Sequence, residues 1–138
     1  MRVTPWALAL SVVSMPAAAQ QPARPDASEA AFGQVIYMRY CAACHGREGR
    51  GNGPVAPGLV RKPIDLTGLA AKNAGTFPFE KVAKSIDGRE TARAHGTPDM
   101  PVWGEVFAKT TGTDTPTVEG AVKRITNYVW SIQSTPKK

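Results

Sequence analysis

Two cysteines and a histidine fall within five residues, Cys41-Ala42-Ala43-Cys44-His45. Thiols two residues apart can add across the two vinyl groups of one porphyrin, and the adjoining imidazole then lies over the iron. C-x-x-C-H is the attachment pattern of c-type haem, and three other chemistries account for it less well. A disulfide between Cys41 and Cys44 would close a very short loop, constrain little of the unfolded chain and leave His45 without a role. A thioredoxin-like pair follows a strand of a βαβ unit, whereas a helical pattern leads into Cys41. Zinc is disfavoured because Cys44 and His45 are adjacent, and structural zinc sites separate paired ligands by two or more residues.

His45 on one face of the iron raises the question of the other. Four methionines and two histidines are available. Met1 and Met15 lie in a leader segment, and Met38 is on the same helix as Cys41, too close to reach the opposite face. Met100 follows His45 by 55 residues, enough chain to circle the ring. His95 is its rival, and an open sixth position is the third reading. A soft, neutral sulfur donor would favour reduced iron and raise the potential.

The elements that must position these groups read as helices. Asp26 and Glu29 have the form of an N-cap and capping box. Phe32, Val35, Ile36 and Tyr40 recur at helical spacing, in a helix that runs into Cys41 and ends near Gly46. Gly46 to Gly58 is glycine-rich without the strand and helix of a phosphate loop and reads as a loop bending around an obstacle. Ile64 to Thr67 starts a segment of undetermined type. Pro78 opens a helix whose apolar face is Phe79, Val82, Ala83 and Ile86, with Gly88 as its stop. Val102 to Lys109 forms a short helix. Thr115 caps a last helix, with Pro116 at its first position and an apolar stripe of Val118, Val122, Ile125, Val129 and Ile132. No strand alternation and no internal repeat is convincing.

Residues 1–19 read as an export signal: Arg2, an apolar run from Trp6 to Val13 and Ala17-Ala18-Ala19 as cleavage site. The run is too short to span a bilayer. Its removal leaves 119 residues, one domain's worth, and lowers the formal charge from +6 to +5. The cations are scattered, which speaks against nucleic acid and for attraction to an acidic protein partner. Aromatics are 7% of the chain and glycine and proline together number 25, so a buried porphyrin would form part of the core.

The attachment motif at the end of a first helix, a later Met-Pro pair and a closing amphipathic helix resemble class I cytochrome c, as found in bacterial single-haem members. The resemblance implies an all-α cytochrome c fold: three to five helices around one covalently bound haem, with the first and last helices crossing. It spans residues 28–134, after a flexible lead-in at 20–27 and before a tail at 135–138. By the same resemblance Cys41 and Cys44 are the thioether attachments, His45 is the proximal ligand and Met100 is the distal one. Pro57 would accept a hydrogen bond from the far nitrogen of His45, although Gly58 replaces the family's usual asparagine. Leu59 would pack on the porphyrin, and Gly33 would touch Tyr128 where the helices cross. Trp103 would pack on the haem or its loop. Arg89 and Arg93 can neutralise propionates, but exposed arginines are common and neither is assigned to the site.

These residues imply a soluble periplasmic electron carrier with one covalent, iron-bearing haem c. It would be a monomer that serves redox protein partners, does not insert into membranes and is not an enzyme. The competing readings are a haem subunit of a larger periplasmic dehydrogenase or oxidase, and a small haem enzyme or gas-binding protein if the sixth position is open.

Overall fold

The computed structural model describes residues 24–89, 100–110 and 117–134. The export signal, the tail, His95, Arg93, Thr115 and Pro116 lie outside the described residues. Within them the chain is helical with no strand: α1 (Ala27–Tyr40), α2 (Ala42–His45), α3 (Phe79–Asp87), α4 (Trp103–Thr110) and α5 (Val118–Ser131), with short 3-10 turns at Ala56–Gly58, Leu66–Gly68 and Ala71–Asn73.

α1 starts where Asp26 accepts hydrogen bonds from the backbone N–H groups of Ser28 and Glu29, at 2.9 and 3.0 Å. The reciprocal half of the capping box does not form. The Asp26 N–H donates instead to Oδ1 of Asn127, 3.0 Å away on α5, and Glu29 pairs with Arg124. The start of the first helix is thereby joined to the last.

α1 and α5 make the most extensive helix contact of the fold. A Cβ on Gly33 would collide with the carbonyl oxygen of Arg124 and lie 3.0 Å from Tyr128 Cβ. Glycine costs a helix about 1 kcal/mol against alanine, and this close approach is what it permits. The buried face of α1 is Ala30, Gly33 and Tyr37, not the stripe of larger residues anticipated from spacing. Phe32 is 59% exposed and Val35 70%. Because the axes come together at a glycine, only small or inward-pointing residues fit between the helices. Phe32, on the flank, lies 5.2 Å under the Arg124 guanidinium.

α5 is the central element. Its predicted stripe is where expected, with Val122, Ile125 and Val129 buried, but Ala121, Thr126, Asn127 and Tyr128 are buried too. It packs against α1, α3 and α4, so little of its circumference meets solvent. Thr126 and Asn127 satisfy their side chains on the Val122 and Lys123 carbonyls. The cap is Thr117, whose hydroxyl accepts from the Gly120 N–H, two residues later than anticipated. Trp130, off the stripe, stacks on Phe77 at 5.4 Å.

Candidate cofactor site

α1 stops at Cys41 and α2 carries the motif for one turn, capped by Gly46 in a conformation (φ 81°) that favours glycine. Tyr37, 1% exposed, donates a 2.7 Å hydrogen bond from its hydroxyl to the Gly46 carbonyl. This ties the end of the motif to the helix crossing. The following loop doubles back on α2: Gly51 N–H donates to the His45 carbonyl at 2.7 Å and Gly53 N–H to the Cys44 carbonyl at 3.1 Å. A Cβ on Gly53 would strike the Ala43 carbonyl oxygen. The obstacle around which this loop bends is therefore α2 itself, whose terminal carbonyls it satisfies.

Beside the motif lies a cleft of about 380 Å³, within the ~300–1,000 Å³ of small-molecule and cofactor sites. Cys41 and His45 open on it from one side, and Tyr37, Ile125 and Val129 line it from α1 and α5. Leu66, Leu69, Val82 and Ile86 add apolar walls, and Met100 reaches the same cleft from a distant part of the chain. Lys72 and Lys81, both solvent-exposed, add polar groups to the lining, with Asn73 and Ser85.

The donor set fits a covalently held haem. Cys41 is buried and Cys44 half-buried. Burial pushes the Cys41 thiol up to about 12, with Cys44 as the second cause. Burial also holds the His45 pKa below that of ordinary imidazole. The ring is then neutral, the form that ligates a metal. Its Nδ1 is buried without a hydrogen-bond partner, an uncommon state for a buried polar atom.

Two anticipated residues do not join this site. Pro57 is exposed in the first 3-10 turn, and neither it nor Leu59 lines the cleft. The backbone that bears on the His45 ring is that of Ile64, which opposes the effect of burial without making a hydrogen bond of good geometry to Nδ1, and Leu66 supplies apolar wall. The loop consumes its first residues in covering α2, so the chain reaches the ring only later. A Cβ on Gly51 would strike the Pro63 carbonyl oxygen, and Leu66 N–H donates to the Gly49 carbonyl at 2.7 Å. The legible signal was a second proline, Pro63, followed by apolar residues at Ile64 and Leu66. Cys44 is half-buried and outside the cleft lining. Trp103 also lies outside it, packed on Tyr40 and Phe107 at 5.6 and 5.8 Å.

Comparison with known proteins agrees with this geometry. The family model for cytochrome c matches residues 30–133. A stretch of 57 residues is 37% identical to cytochrome c-554(547) of Halothiobacillus neapolitanus, covering 40% of this chain and 63% of that relative, less than two thirds of its length. No solved structure matches the chain. A first helix ending in C-x-x-C-H, a last helix crossing it at a glycine and a family match over most of the sequence lead to one conclusion: this chain belongs to the cytochrome c family and carries covalently attached haem c.

Proposed function

We propose that this protein is an exported periplasmic electron carrier whose haem is held by Cys41 and Cys44 and ligated by His45 and Met100. The observation that carries the reading is that His45 and Met100, 55 residues apart, line one apolar cleft. Haem c, when bound, supplies a one-electron iron couple. The chain sets its terms. His45 offers a neutral imidazole, and Met100 a soft sulfur that favours the reduced metal and raises the potential. Leu66, Leu69, Val82, Ile86 and Val129 exclude water, which also tunes a metal site. With His45 and Met100 both holding the iron, no site would remain there for substrate, and the protein would transfer electrons without further chemistry.

Lys72 and Lys81 at the cleft support a redox partner with an acidic docking surface, steered by the positive field. No helix among the described residues is long and apolar enough to cross a membrane. The protein acts as a monomeric shuttle in this reading.

The deciding measurement is the oxidised absorption spectrum. A His/Met site shows a weak far-red sulfur-to-iron band, which Met100→Ala abolishes while lowering the potential and admitting carbon monoxide to the reduced protein. A wild type without the band that binds carbon monoxide at once would have an open site, and the enzyme or gas-binding reading would replace electron transfer. Loss of the wild-type spectrum in His95→Ala, with Met100→Ala unchanged, would indicate bis-histidine ligation.

A further inference from the structure

Gly104 is a buried glycine in the first turn of α4. Its backbone does not adopt the left-handed region, so conformation alone does not require glycine there. Two side chains occupy the place a Cβ would take, so a larger residue there would displace them. A Cβ on Gly104 would collide with Oδ1 of Asp87 and lie 2.6 Å from Nε of Arg89. These two side chains form a two-point pair, Nε to Oδ1 at 2.6 Å and the second guanidinium nitrogen to Oδ2 at 2.7 Å. One step away, Gly88 caps α3 at φ 71°, and a Cβ placed there would lie 3.4 Å from the Cα of Val102. The end of α3 is thus seated on residues 102–104 at two adjacent points, and Met100 is two residues before Val102.

We infer that the Asp87–Arg89 pair, seated on Gly104, positions Met100 as the distal ligand by locking the chain just beyond it to the end of α3. The inference rests on the His45/Met100 reading. A single exposed ion pair contributes little, but a bidentate one adds geometric definition. This pair braces the segment that must hold a sulfur on iron. Asp87, Arg89 and Gly104 are positioning residues that touch neither the cleft nor its ligands.

The test uses the haem-loaded protein with Gly104→Ala and Asp87→Asn. Three readings are taken: the far-red band as temperature rises, the rate at which the reduced protein binds carbon monoxide, and the melting of helical circular dichroism. Both variants should lose the band at lower temperature and bind carbon monoxide roughly tenfold faster, equivalent to about 1.4 kcal/mol, with helix melting nearly unchanged. Arg89→Lys, which keeps the charge but not the two-point fork, should fall between them and wild type. It decides the matter by the same readings if either of the others yields no holoprotein. A wild-type band and carbon monoxide rate in these variants overturn the inference. Met100→Ala separates this from failure of the ligation itself. A wild-type band that Met100→Ala abolishes and the pair variants leave untouched sinks the positioning role alone, whereas a wild type with no band sinks both.

Discussion

At the α1–α5 crossing, Gly33 rests on the Arg124 backbone, and Tyr37, Ile125 and Val129 are each at most 2% exposed. Across the cleft, the wall between residues 59 and 87 contains only two buried hydrophobic residues, Phe77 and Ile86. Leu66, Leu69 and Val82 are merely half-buried, and this stretch is built largely of short 3-10 turns before α3. The crossing is complete with protein atoms alone. The wall faces the apolar space that the proposed site assigns to the haem, so its ordering should depend on a cofactor that binds the folded chain. One half of the molecule is a self-sufficient clamp and the other a mould.

Breaking the attachment should show this contrast most strongly. In Cys41→Ala/Cys44→Ala, which leaves no thiol for a thioether, amides of residues 62–87 should exchange on the order of 100-fold faster than in the holoprotein, as expected of a region reduced to low local stability. Amides at the centre of α1 and α5 should keep clear protection. Equal protection in both regions, with one sharp cooperative transition, would show that the wall needs no haem.

The converse change strikes the clamp. Gly33→Ala gains helix propensity, yet its Cβ meets a backbone carbonyl that cannot move aside without shifting α5. Overpacking of this kind costs about 1–3 kcal/mol, measurable as a lower denaturant midpoint with an unchanged slope. The far-red band at 25 °C should be as in wild type, since the crossing does not carry Met100. A Gly33→Ala protein as stable as wild type would mean the helices can separate freely.

The smallest effect is at the rim of the clamp, in acid. The Glu29 backbone N–H, followed by the Ser28 hydroxyl, holds the Asp26 carboxyl below its ordinary value of 3.8. A carboxyl with a lower pKa in the folded state stabilises the fold while ionised. Its contribution is therefore complete above that ordinary value and disappears as pH falls through the folded one. Wild type should be slightly more stable than Asp26→Ala at neutral pH, and thermal melts should show the gap closing in strong acid. A gap constant with pH would assign the effect to something other than the cap.

Much of the clamp was legible in the chain. Asp26 caps where its spacing to Glu29 placed it, because N-capping is an exchange among neighbours in sequence. The Val122, Ile125 and Val129 stripe and the Gly88 stop are local patterns too. The buried face of α1 was not legible. Phe32 and Val35 have the hydrophobicity of core residues, but the choice of face depended on Gly33 meeting Arg124, a contact across 91 residues.

The haem motif was determined by the sequence alone, because thioether attachment and proximal ligation need three side chains within five residues of the chain, and Cys41, Cys44 and His45 keep that spacing in any fold. The polypeptide opposite them was decided by tertiary structure. Whether Pro57 or the Pro63–Leu66 segment approaches His45 turned on how much loop the α2 carbonyls consumed through Gly51 and Gly53. From the sequence Met100 was a candidate beside His95 and an open position, and its arrival at the cleft of His45 is a matter of packing between α3, α4 and α5. The glycine of α4 carried no local signal at all. Asp87 and Arg89 occupy the space a side chain on Gly104 would take, and a close approach between distant segments is a property of the folded pair, written in neither segment alone.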